Sequence, residues 1–299
     1  MKIRKLDILF SLLFFLGASL LSGCGLTSLI VHPFGGHRSS LKKRVMVTPL
    51  IDQAGLGHQV SSELYQTLID RLRATGKVVV FENNHTVSLD SSEATLAYGI
   101  SPGTKLLQKA RDLGMNAVLT GVISPVEKEE RLKGIWPLRK AVAHYSIALI
   151  FNLLDPQDGT VILSHLEDDG IDVDLEEEQF LEKNWILEEL KEKILSKVIK
   201  RAIKPIRKAL ESEPWEGRIL AVKDQILINA GADVGVKPGH RFEVYGGNQI
   251  IVAKDGRKFQ VSWKKVGKIR VTEVRRTTAI AEPVEGEGFK AGQKIVSLD

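Results

Sequence analysis

Arg44-Val45-Met46-Val47-Thr48-Pro49-Leu50-Ile51 decides the fold. Its near-continuous apolar character is that of a strand buried on both faces, the usual state inside a helix-covered sheet. Gly55 and Gly57 supply the turn that follows. Val60, Leu64, Leu68, Ile69 and Leu72 then recur at three- and four-residue spacing, which predicts an amphipathic helix. Ser61 or Ser62 is its expected N-cap and Gly76 its stop. Val78-Val79-Val80-Phe81 reads as a second strand, and residues 83–101 as a polar, irregular stretch. A second helix is expected from about Pro102 to Leu113, with Gly114 past its end. Asn116 to Ile123 is the third strand, so the order is β-α-β-α-β, which builds a sheet flanked by helices.

Farther along, the pattern changes. Ala143 to Leu154 is a longer strand with Tyr145, Ile147, Leu149 and Phe151 on one face. Asp155-Pro156-Gln157-Asp158-Gly159 is a turn, and the chain returns antiparallel from Thr160 to Leu166. The acidic run Asp168 to Glu178 continues that edge and leads into a long helix, Gln179 to Leu210, in which Phe180 points inward and Pro205 kinks or ends the regular part. Glu213-Pro214 begins a boundary. Eight short strands punctuated by glycine follow, at the spacing of a small barrel or sandwich. The expected class is therefore α+β: an α/β sandwich, with a mixed sheet and flanking helices, over residues 44–212, then a small all-β barrel-like domain over 213–299.

With 299 residues, 43% hydrophobic and 26% charged, the chain suits about two folded domains. Without residues 1–23, 39 basic residues stand against 36 acidic ones. The basic residues are spread along the chain without aromatic interleaving, so nucleic acid is not an expected partner.

No catalytic, cofactor or metal residues are expected. Gly55-Leu56-Gly57 before a helix mimics part of a dinucleotide fingerprint, but Val60 stands where the third glycine belongs, and a plain turn is the better reading. The run Asp168 to Glu178 lacks the sharp-turn glycine and spacing of an EF-hand; a solvated edge and helix start is favoured over a calcium site. His144 reads as a packing or surface residue rather than a base. The charged segment Glu127 to Lys140 reads as a surface loop, since Glu127-Lys128-Glu129-Glu130-Arg131 lacks the alternation of a membrane strand. Within it, Trp136 and Arg139 are the candidate interface, because exposed Trp and Arg often anchor partners.

At the other end, Lys2, Arg4 and Lys5 precede an apolar run from Ile8 to Leu21, shorter than the roughly 20 residues of a spanning helix. Leu21-Ser22-Gly23-Cys24 resembles the bacterial lipoprotein box. The resemblance implies cleavage between Gly23 and Cys24, removal of a 1–23 signal peptide, acylation of Cys24 and a 24–43 tether. An ordinary signal peptide and an uncleaved anchor are the alternatives. Cys24 is the only cysteine, so its acylation leaves no thiol for chemistry. Gly25, where an aspartate would signal retention in the inner membrane, implies the outer membrane, facing the periplasm.

Two further resemblances bear on function. Val45 to Leu50, the Leu64–Leu72 helix, Val78 to Phe81 and Ala110-Arg111-Asp112-Leu113-Gly114-Met115-Asn116-Ala117-Val118-Leu119-Thr120-Gly121 are similar to the α/β unit of the curli-channel lipoprotein. That unit also occurs in the outer-membrane activator of penicillin-binding proteins and resembles the amino-terminal domain of the Tol-Pal periplasmic protein B. Ile226 to Tyr245, with Gly231, Gly235 and Gly239 at its turns, resembles the carboxy-terminal domain of flagellar assembly protein T. The implied role is non-enzymatic: a lipid-anchored assembly or scaffold component of a trans-envelope machine, flagellar or secretory. The alternatives are an oligomeric secretion-pore subunit and a regulator of a peptidoglycan synthase. The implied partners are the membrane through Cys24, envelope proteins and further copies of the chain.

Overall fold

The computed structural model describes residues 40–83, 104–182, 184–246, 249–252, 258–261 and 264–298, all within one compact unit. Gly23, Cys24, the signal peptide, residues 24–39 of the tether, most of the irregular stretch and Pro102 lie outside the described residues.

The opening apolar run forms β1 (Lys43–Val47), with all five residues buried. It lies between parallel partners β3 (Val78–Glu82) and β4 (Ala117–Ile123), with Val45 opposite Val80 and Ala117. The two-residue β2 (Ile51–Asp52) extends the edge of β4. Helix α1 (His58–Ala74) buries Leu64, Leu68, Ile69 and Leu72 as its periodicity requires. It starts before the expected serine cap. The Asp52 carboxylate accepts the N–H groups of Ala54 (3.0 Å) and Gly57 (2.9 Å), which lets Gly57, at φ +88°, serve as N-cap. Ser61 Oγ then donates back to the Gly57 carbonyl.

Helix α2 (Thr104–Asp112) packs Leu106 and Ala110 on Met46 and Val118, on one face of the sheet. The spine of the sheet is β6 (Lys140–Leu154). Its second half pairs antiparallel with β4; its first half pairs with β5 (Glu127–Lys133). Its other edge pairs along its length with β7 (Val161–Asp174). The long helix is interrupted. Asp174 accepts the Glu176 N–H and caps a short α3 (Leu175–Glu178); α4 (Trp185–Leu190), a wide π turn (Lys191–Leu195) and α5 (Ser196–Ser212) follow. Phe180 falls between α3 and α4 and is 85% exposed, so the expectation of an inward Phe180 fails. Pro205 does not end α5, because Ala202, Ile206 and Leu210 stay packed in the core on either side of it.

The expected β domain is a closed six-stranded antiparallel barrel. It comprises β8 (Glu216–Val222), β9 (Ile226–Ile228), β10 (Arg241–Gly246), β13 (Lys264–Val274), β14 (Ala279–Gly286) and β15 (Lys294–Ser297). A separate ribbon, β11 (Gln249–Val252) with β12 (Lys258–Val261), interrupts the chain between β10 and β13. The barrel interior is Trp215, Phe242, Ile228, Val244, Ile269 and Ile295, with Trp215 and Phe242 in tilted ring contact at 5.6 Å. Gly235 (φ +92°) and Gly239 (φ +94°) take the left-handed turns expected of them, whereas Gly231 is required by close packing: a Cβ there would meet the Arg275 and Arg276 carbonyls at 2.6 Å.

Part of the stretch read as tether belongs to the folded body. Leu41 is buried among the barrel residues, the Lys42 N–H donates to the Val234 carbonyl (2.8 Å), and the Trp215 indole N–H donates to the Lys42 carbonyl (3.0 Å).

Candidate functional site

Glu127 to Lys133 is a strand and not a surface loop. The reason is β6. It is longer than β4 and supplies free ladder positions that β5 fills, from Glu127 opposite Ser146 to Lys133 opposite Lys140. All seven β5 side chains are exposed, so hydrophobic burial does not hold this strand. The backbone ladder with β6 does, and charge pairing across three strands adds to it. Asp172 on β7 accepts from Lys133 Nζ (2.8 Å), from Arg131 and from His144 Nδ1 (2.7 Å). Those donors hold its carboxyl well below the usual carboxylate range, the Lys133 ammonium most of all. Glu178 accepts from Lys128 and from the Tyr145 hydroxyl. The His144 ring lies over Gly170, where a Cβ would come within 2.7 Å of it. His144 is thus a packed staple of the ribbon.

The acidic run is engaged in the same way. Arg201 on α5 donates to Glu167 (3.0 Å), to Asp169 (2.9 Å) and to the Asp168 carbonyl. The run forms the outer edge of β7 and the start of α3, as the sequence implied, and among the described residues no three acidic or histidine side chains converge as metal ligands.

The ribbon ends at Gly134 to Arg139. Gly134 sits at φ +111°, with Leu138 O only 2.9 Å from where a Cβ would stand, and the Leu138 N–H closes the turn on the Ile135 carbonyl at 2.7 Å. Ile135 is 85%, Trp136 77% and Leu138 83% exposed, and Leu132 just below them is 66% exposed. Arg139 is exposed at their side. Thus Trp136 and Arg139 do share one tip; Ile135, Leu138 and Leu132 complete it. The missed signal was the apolar group Ile135-Trp136-Pro137-Leu138 between two charged flanks, which reads as a ribbon tip only once β6 extends to Lys140. Burying each such side chain is worth about 2 kcal/mol, and nothing in the described body buries them. The tip stands roughly 46 Å along β6 from Leu154, the end at which β1 and the barrel lie.

At that opposite end the sheet and barrel meet in a polar cleft. Arg44 forms a bidentate pair with Asp233 (2.9 and 3.0 Å) and also donates to the carbonyls of Asn229 and Thr277. Asn116 accepts from the Arg44 N–H (2.9 Å) and donates to the Glu216 carbonyl (2.6 Å). Lys43 Nζ donates to the Glu213 and Pro214 carbonyls (2.6 and 2.9 Å). Burial pushes Lys43 down to about 8, and burial likewise pushes Asp155, which lines the same cleft, up to about 6. Among the described residues no helix is long and apolar enough to cross a membrane.

No family model matches the chain, and no curated protein matches it. Solved structures of similar shape include a PelC dodecamer from Paraburkholderia phytofirmans at 16% identity, over 57% of this chain and 89% of that one, with a TM-score of 0.32. Lipoprotein GNA1162 from Neisseria meningitidis matches at 13% identity over 56% of this chain and 99% of that one, with a TM-score of 0.29. The LpoB C-terminal domain from Salmonella enterica matches at 17% identity over 45% and 87%, with a TM-score of 0.28.

Proposed function

We propose that this protein is a lipid-anchored, periplasm-facing docking component of the bacterial envelope, non-enzymatic, which engages a protein partner through the β5–β6 tip. The observation that carries the reading is the tip itself. Three large apolar side chains are held clear of the body by a ribbon built on the β5–β6 ladder and laced with ion pairs. A tip whose turn is closed by its own backbone hydrogen bond is partly ordered before binding, and Trp beside Arg is the composition of interface hot spots. The lipoprotein box supports the membrane attachment, and the outer membrane is proposed from Gly25. A flagellar or secretory assembly is the proposed setting.

The test is a photo-crosslinkable residue at Trp136 or Leu138 in the intact cell. The expected result is a discrete covalent adduct with one envelope protein, lost when Ile135 and Leu138 are changed to Ser. An unmodified band at both positions would refute tip docking. Cys24→Ala is expected to release the protein from the membrane fraction; full retention would remove the anchor from the reading.

A further inference from the structure

Helix α5 carries six basic residues against one acidic residue between Ser196 and Ser212. Arg201 is taken up by Glu167 and Asp169 on β7. Lys197, Lys200, Lys204, Arg207 and Lys208 have no ion-pair partner among the described residues; the four lysines are exposed and Arg207 is half-buried. At 3.6 residues per turn these five fall within a sector of roughly 100°. They make one basic ridge, extended at its start by Lys193. The ridge runs roughly 22 Å from Lys193 to Lys208. The opposite face of the helix, Val198, Ile199, Ala202, Ile206 and Leu210, is fixed in the core. The ridge is therefore held in place along its length; Lys193 at its start is paired with Glu189, Asp169 lies near Lys197 and Glu211 shares the sector at its end, which leaves a clear surplus of positive charge between them.

We propose that this ridge is a second membrane contact, which lays the body on the anionic phospholipid headgroups of the leaflet that holds its lipid anchor. Three features select a lipid surface. The charges are mostly lysine ammoniums, point charges on flexible stems without the fork that grips a single carboxylate or phosphate. They form a line on a convex helix and no pocket, which fits a continuous anionic plane. And the first described residues lie beside them: Ser40 and Leu41 line one cavity with Arg207, Leu210 and Glu211 at the end of the ridge. The sixteen positions from Cys24 to Ser40 reach at most about 55 Å, so an anchored body keeps the ridge at high effective concentration next to the leaflet. A basic patch added to an acyl anchor is a recognised two-signal arrangement. The inference rests on the lipid-anchor reading and is independent of the tip.

The test uses the full-length protein purified from membranes, with a donor dye on Ser196→Cys. It is reconstituted into phosphatidylcholine vesicles with or without phosphatidylglycerol, with an acceptor on the headgroups. Energy transfer is expected to rise with phosphatidylglycerol, to collapse at high salt, and to stay at its neutral-vesicle level in the Lys197→Glu, Lys200→Glu, Lys204→Glu variant, which changes only exposed positions. Equal transfer in both vesicle types, or a triple variant that responds like the parent, overturns the proposal. Mass spectrometry reports acylation of Cys24 separately. If Cys24 is unmodified the anchor reading fails, and the ridge is judged by flotation: about tenfold more protein on anionic than neutral vesicles, dependent on the three lysines, supports it; no preference overturns it.

Discussion

At the residue scale, Asp155 is the clearest case of a group working against stability. Its carboxyl is buried in the cleft between sheet and barrel, and its folded-state pKa is about 6 against 3.8 for the free side chain. Between those values the folded protein binds more protons than the unfolded chain. The contribution is therefore complete below about pH 4 and is lost as pH rises through 6. Asp155→Asn keeps an acceptor for the Gln157 N–H, now 2.7 Å away. The variant is expected to gain on the parent across that window, reaching about 3 kcal/mol at neutral pH, as read by urea unfolding at pH 4 and pH 7; a difference that does not change with pH would refute it. Lys43, depressed to about 8 in the same cleft, acts in the opposite direction: its cost is present at neutral pH and is relieved as pH rises above 8. Gly170 is a second decisive position. A Cβ there would strike the Tyr145 carbonyl and the His144 ring, so Gly170→Ala should cost about 2 kcal/mol, measured in the same way.

The element that distinguishes this molecule is the β5–β6 ribbon. A strand whose seven residues are all exposed has no core to hold it, so beyond its ladder with β6 its side-chain anchors are Asp172 and Glu178. Asp172→Ala removes the shared acceptor of Arg131, Lys133 and His144. Hydrogen exchange is expected to show faster exchange of the β5 amides, by about tenfold, while β1 and β4 stay protected. Uniform loss of protection would mean that the ribbon is part of the global core. Lowering the pH has the same direction of effect only under strongly acidic conditions, because the Asp172 carboxyl remains ionised well below the usual carboxylate range. The misreading of β5 has a physical origin at this scale. Strand signals are burial signals, and β5 has no burial; its pairing is dictated by the surplus length of β6.

For the whole molecule, the question is why sheet and barrel behave as one body. Leu41 fills the barrel core two residues before β1 starts the sheet, and Arg44, on β1, reaches Asp233, Asn229 and Thr277 of the barrel half. Arg44 and Asp233 are largely buried, at 10% and 19% side-chain exposure. Removing one partner strands the other charge, so Arg44→Ala should cost about 3 kcal/mol. Calorimetry is expected to show one unfolding transition for the parent and two for the variant, since the junction loses its central pair. A variant that retains a single transition at the parent's temperature would show that the halves are coupled elsewhere.

What the sequence by itself determined is the part written in local pattern. The buried run at Val45, the three-four spacing of α1, the glycine stops at Gly76 and Gly114 and the glycine-punctuated strands of the barrel each follow from periodicity and backbone freedom. Trp136 and Arg139 were legible as exposed residues from the charged segment around them. Only the tertiary structure decided what depends on distant neighbours. Asp52 moved the α1 cap to Gly57. The free ladder of β6 made β5 a strand and carried Ile135 and Leu138 to a common tip with Trp136. The packing of α5 against the sheet turned scattered lysines into a single ridge. Local propensity acts over a few residues, whereas ladder pairing, polar contacts and the shared faces of packed helices are set by distant partners, 189 positions away for Arg44 and Asp233 and 233 for Arg44 and Thr277.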